Sequence, residues 1–110
     1  MPGVYPALDR TAEIDFGDDG PFGPFSAELS FSSADQTVSF RVTRGALVGI
    51  AGVVPFTAQE AAEGIWLVTW QEPGNLSVAQ VHNFNSGLLL TVNVNEAHEQ
   101  AHINGTIRLI

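Results

Sequence analysis

Apolar and polar residues alternate with a period of two along most of this chain, and no segment sustains the 3.6-residue period of an amphipathic helix. The pattern is clearest from Gly64 to Gly87, GIWLVTWQEPGNLSVAQVHNFNSG. Residues two apart fall on one side of a strand. Trp66, Val68, Trp70 and Glu72 therefore share one face, and Ile65, Leu67, Thr69 and Gln71 the other. After a turn at Pro73-Gly74-Asn75, Leu76, Val78, Gln80, His82 and Phe84 align in the same way, and Asn85-Ser86-Gly87 ends the run. The reading is an antiparallel hairpin with a largely apolar inner face that also carries an acid, an amide and an imidazole.

The same alternation recurs on either side. Residues 1–10, with Pro2, Gly3 and Pro6, form an extended leader that either stays mobile or caps one end of the domain. Ala12 to Phe16 is a first strand with Ile14 and Phe16 on one face. Gly17 to Pro24, with three glycines and two prolines, is turn chemistry. Phe25, Ala27, Leu29 and Phe31, then Val38, Phe40 and Val42, mark a hairpin across Ala34-Asp35-Gln36. Gly45 to Phe56 is apolar on both parities and interrupted by Gly45, Gly49 and Gly52, as in a bent or bulged strand. Thr57 to Glu63 is a strand edge or a single helical turn. Two more strands follow, with Leu88, Leu90, Val92 and Val94 on one parity, then Ile103, Gly105, Ile107 and Leu109. Eight or nine short strands joined by short turns predict an all-β, up-and-down antiparallel sheet over residues 11–110. Closure into a single barrel removes its edges. About eight strands leave an interior that side chains fill or that holds one small ligand.

Composition narrows the function classes. A chain of 110 residues supplies one core, burying ~65% of the unfolded surface. The net charge of −8, from twelve acids against four bases, argues against a nucleic-acid surface, which needs clustered Lys and Arg. It also disfavours anionic ligands unless Arg41, Arg44 or Arg108 is aimed at them. With 45% hydrophobic and 15% charged residues the chain is not of the disordered class. There is no cysteine, so disulfides and thiolate metal sites are excluded and a reducing compartment is allowed. MPGVYPALDR does not resemble a secretion signal, and no run approaches the ~18 apolar residues needed to span a bilayer. The expectation is a cytoplasmic protein with no membrane partner.

Glu72 is the first candidate for chemistry. A carboxylate in register with Trp66 and Trp70 near a strand end is either partly desolvated and suited to general acid/base work, or a solvated acid at the barrel mouth. Gln80 and His82 sit on the facing parity of the next strand, where they orient a ligand or form a polar pair plugging the barrel. Asn83, Asn93 and Arg41 are expected on the outside. His98 and His102 are four apart, but no third ligand is evident, and Asp18-Asp19 lacks the spacing of a calcium loop. No metal or cofactor is expected. Phosphate-loop, nucleophile-elbow and kinase motifs are absent.

The run Glu63-Gly64-Ile65-Trp66-Leu67-Val68-Thr69-Trp70-Gln71-Glu72-Pro73, with Val78 to Gly87 and the closing Asn104-Gly105-Thr106-Ile107-Arg108, resembles the MoaF-like family of small lipocalin-like (calycin) barrels. It is more distantly similar to the phenolic acid decarboxylases, through that strand and Thr37-Val38-Ser39-Phe40-Arg41. The first resemblance implies the barrel and a family name linked to molybdenum-cofactor gene clusters. The second implies a catalytic carboxylate, matching Glu72, assisted by two tyrosines and an arginine. Those three positions fall at Ile14, Phe16 and near Ile50. Without phenols and a cation to clamp a substrate carboxylate, hydroxycinnamate decarboxylation is not expected.

The leading expectation is a container for a small apolar or aromatic molecule, contacted by Phe16, Phe40, Trp66, Val68, Trp70, Gln80 and Phe84 and oriented by Glu72 and His82. The first alternative is a cofactor-free lyase, isomerase or cyclase in which Glu72 and His82 are catalytic. The second is an interaction protein with a filled barrel, dimeric through a sheet face.

Overall fold

The computed structural model describes residues 3–18 and 23–110. The expected turn at Gly17–Pro24 is therefore seen only at its ends, since 19–22 lie outside the described residues. Eight strands form: β1 (Thr11–Asp15), β2 (Phe25–Ser32), β3 (Thr37–Gly45), β4 (Ala51–Ala62), β5 (Ile65–Glu72), β6 (Leu76–Asn83), β7 (Leu88–Val94) and β8 (Gln100–Leu109). Each pairs antiparallel with the next, and β1 pairs with β8 from Ala12↔Leu109 to Asp15↔Thr106, closing an up-and-down barrel.

The alternation decides which side chains fill the barrel. On β5, Trp66, Val68 and Trp70 are buried and Leu67 and Gln71 are exposed, as the hairpin pattern predicts. The β5–β6 pairing runs from Ile65↔Asn83 to Glu72↔Leu76. Its connecting turn uses left-handed backbone at Gly74 and Asn75, residue types that tolerate it. Arg41 points outward and pairs with Glu28 on the neighbouring strand.

Two features differ from expectation, and a third decides between two readings that the sequence left open. Gly45–Phe56 is not one bent strand: β3 ends at Gly45 and β4 begins at Ala51. Between them lies a tight loop held by bonds from Val42 N–H to the Ile50 carbonyl and from Gly49 N–H to the Val42 carbonyl. Thr57 to Ala62 is strand throughout, because pairing with β5 from Thr57↔Thr69 to Ala62↔Ile65 satisfies its backbone. Asn93 faces inward, not outward. Leu88, Leu89 and Leu90 make both parities of β7 apolar, so the pattern there is ambiguous. The pairings Gln80↔Thr91 and Val78↔Asn93 decide it, placing Leu89, Thr91 and Asn93 inside and Leu88 and Leu90 outside.

The seam between β1 and β8 is tight. A side chain at Gly105 would place its Cβ 2.3 Å from the Asp15 carbonyl oxygen, so the absent side chain is what lets the strands approach there.

Candidate ligand cavity

The barrel interior divides into two halves. The half under the leader is filled. Tyr5 inserts its ring among Phe31, Trp66 and Phe84, with centroids 5.0, 5.6 and 5.7 Å away in edge-to-face geometry. Tyr5 is 4% exposed and Ala7 0%, so the leader is a plug and not a loose tail. Bonds from Gly3 N–H to Glu60 Oε1, from Asp9 N–H to the Phe31 carbonyl, and from Ser33 N–H and Oγ–H to the Asp9 carboxylate tie it down. The two Ser33 bonds hold the Asp9 carboxyl below its usual range.

His82 sits beneath this plug and is completely buried. Burial disfavours the imidazolium and pushes its pKa down to about 3, so the ring is neutral. The same burial raises the Tyr5 phenol well above its ordinary value. These states define a proton order. Gln80 Oε1 can only accept, so His82 Nε2–H donates to it at 2.7 Å. Nδ1 is then bare and accepts from the Tyr5 hydroxyl at 2.7 Å. Both imidazole nitrogens are engaged.

The other half is open. A cavity of about 280 Å³ lies between the ends of β1, β5 and β7 and the β3–β4 loop. Its apolar wall includes Phe16, Phe25, Phe40, Trp70, Leu76 and Val78. Leu47 and Ile50 also line it while remaining 45% and 50% exposed, so the cavity reaches the surface beside that loop. The polar groups on its wall are Glu72, Gln80, Thr91 and Asn93. Glu72 is half-buried and accepts from Trp70 Nε1–H at 3.1 Å. Thr91 Oγ1 and Asn93 Oδ1 are buried without a protein partner among the described residues. No arginine lines the cavity: Arg41 pairs with Glu28, Arg44 with Asp15 and Asp18, and Arg108 with Glu13.

Of the residues singled out from sequence, Phe16, Phe40, Trp70, Glu72 and Gln80 come together around this cavity. Trp66, Val68, His82 and Phe84 do not line it. Trp66, His82 and Phe84 surround Tyr5 at the plugged end, and Val68 is wholly buried between the two halves. Asn83 caps the β6–β7 turn, accepting from Asn85 and Ser86 N–H. Sequence reasoning missed Tyr5, Thr91 and Asn93. The single tyrosine, set between prolines in the leader, is the signal for the first. The other two become visible only when β7 is placed in register with Gln80. Among the described residues, no three His, Asp or Glu side chains are grouped to hold a metal ion.

Comparison with known proteins agrees with this architecture. The model of the MoaF-like family matches residues 14–108. The chain belongs to the MoaF-like family. A crystal structure from Burkholderia vietnamiensis, described as a candidate beta-lactamase, superposes with a TM-score of 0.83 at 21% identity, covering 99% of this chain and 100% of that one. At that identity the likeness shows a shared fold alone. No curated protein matches this MoaF-like chain. Among its described residues, no helix is long and apolar enough to cross a membrane.

Proposed function

We propose that this MoaF-like barrel binds a small, largely apolar molecule in its open half. The cavity carries the reading: its size suits a compact organic ligand, its wall is mainly aromatic and aliphatic, and it holds a few convergent polar groups. The buried Thr91 and Asn93 oxygens support it, because an unpaired buried acceptor costs free energy that a bound donor would recover. The cysteine-free sequence is compatible with a cytoplasmic setting.

Catalysis by Glu72 with His82 has weaker support. His82 is walled off from the cavity and engaged at both nitrogens, which leaves Glu72 without that partner. A beta-lactamase reading has less still, since the serine enzymes use a Ser-x-x-Lys pair and this sequence contains no lysine.

The test is a titration with N-phenyl-1-naphthylamine, a neutral apolar fluorophore, following its emission and the quenching of Trp70. Saturable one-to-one binding is expected. Ala27→Met, which extends a buried lining side chain into the void, should weaken it at least tenfold in a variant shown by urea denaturation to be folded. Absence of saturable binding, or equal affinity in the folded variant, refutes the reading.

A further inference from the structure

Among the described residues that line the cavity, Glu72 is the one charged group, and it is negative. Glu72 is an acceptor, one of its oxygens taken by Trp70 Nε1–H and the other without a protein partner among the described residues. Asn93 Oδ1, an acceptor, and Thr91 Oγ1 likewise have no partner among the described residues. Among the described residues no arginine lines the cavity beside Glu72; Arg44, at the same end of the barrel, is paired with Asp15 and Asp18, and the β7–β8 turn there adds Glu96 and Glu99. A cleft with low-dielectric walls and charges of one sign concentrates counter-ions. Trp70, Phe16 and Phe40 also line the space, and an aromatic ring attracts a cation electrostatically at its face.

The polar groups lie at different depths. Glu72 pairs with Leu76, Asn93 with Val78 and Thr91 with Gln80, so the three sit opposite positions 76, 78 and 80 of β6. At about 3.4 Å per residue, Asn93 and Thr91 lie roughly 7 and 14 Å deeper along the strand than Glu72. One aromatic ring with a short arm spans that interval.

Building on the cavity-binding reading, we propose that the ligand is an aromatic amine with a hydrogen-bond donor at its far end. Its ammonium group pairs with Glu72 near the opening. Its ring lies against Trp70, Phe16 and Phe40. A hydroxyl at the inner end donates to Thr91 or Asn93. A carboxylate in place of the ammonium would meet Glu72 with no cation to offset the repulsion.

The experiment displaces N-phenyl-1-naphthylamine with four compounds that vary head charge and ring hydroxyl independently: tyramine, 2-phenylethylamine, 3-(4-hydroxyphenyl)propionate and 3-phenylpropionate. Tyramine should bind tightest. Each amine should exceed its carboxylate counterpart at least tenfold, and the hydroxyl should add threefold or more. Glu72→Gln should collapse the charge preference while the hydroxyl step remains, and Thr91→Val should shrink the hydroxyl step while the charge preference remains. Carboxylates that bind as well as amines, a hydroxyl without effect, or variants that weaken all four compounds equally overturn the proposal. Failure of the fluorophore itself to bind removes the cavity-binding reading as well, whereas fluorophore binding without charge preference removes only the amine.

Discussion

Lowering the pH should destabilise this barrel through His82 by an amount that can be isolated from its many carboxylates. In the folded protein His82 is fully buried, its Nδ1 held by the Tyr5 hydroxyl, and its pKa lies at about 3 against 6.5 for a free imidazole. Below pH 6.5 the unfolded chain takes up a proton that the folded chain refuses. The stability contributed by the neutral ring is thus fully present above pH 6.5 and is lost as pH falls toward 3. Each unit in that window costs about 1.4 kcal/mol, so moving from pH 7 to pH 4.5 removes about 2–3 kcal/mol. That is a substantial fraction of the ~5–15 kcal/mol typical of a domain. Urea denaturation of the wild type and of His82→Gln at both pH values separates this loss from that of the acids, which both proteins share. The wild type should lose about 2–3 kcal/mol more than the variant. Long-range proton–nitrogen spectra of the wild type at pH 5 should show His82 protonated at Nε2 alone. Equal losses within about 0.5 kcal/mol, or an imidazolium at pH 5 in the folded protein, would refute the reasoning.

Tyr5→Phe keeps the plug's ring but leaves buried His82 Nδ1 without a donor, and should cost about 1–3 kcal/mol by urea denaturation at pH 7. In the wild type, stability should also fall as pH rises above 10, where the unfolded chain ionises Tyr5 and the folded chain does not. Thr91→Val should stabilise the ligand-free protein by about 1 kcal/mol, since it deletes a buried hydroxyl that has no partner among the described residues; a destabilised variant would mean that the hydroxyl is satisfied. Gly105→Ala pushes a methyl against the Asp15 carbonyl and should cost about 1–3 kcal/mol, with hydrogen-exchange protection lost first along β1 and β8.

The period of two determined the all-β class, the inward face of β5 and the hairpin turn at Gly74-Asn75. Each follows from local geometry: side chains alternate across a strand, and only certain residues enter left-handed turns cheaply. Glu72 near the barrel mouth and the outward Arg41 were legible for the same reason. Where both parities were apolar, in Gly45–Phe56 and at Leu88-Leu89-Leu90, the local signal carried no direction. There the hydrogen-bonded partner strand decided the outcome, bringing Asn93 and Thr91 inside beside Val78 and Gln80. A leader capping one end was one of two local readings, but what Tyr5 packs against was not legible, because the site it fills is built by β2, β5 and β6 and exists only once the barrel has closed. Tyr5 fills the end of the interior where His82 lies and leaves the cavity at the opposite end, where Glu72 stands opposite Leu76 while His82 stands opposite Trp66. The sequence by itself determined that there would be a barrel with acid, amide and imidazole inside it. Which of them share a space was decided by long-range packing: the β7 register brings Thr91 and Asn93 to the cavity of Glu72 and Gln80, while a leader side chain 77 positions from His82 engages the imidazole at the filled end.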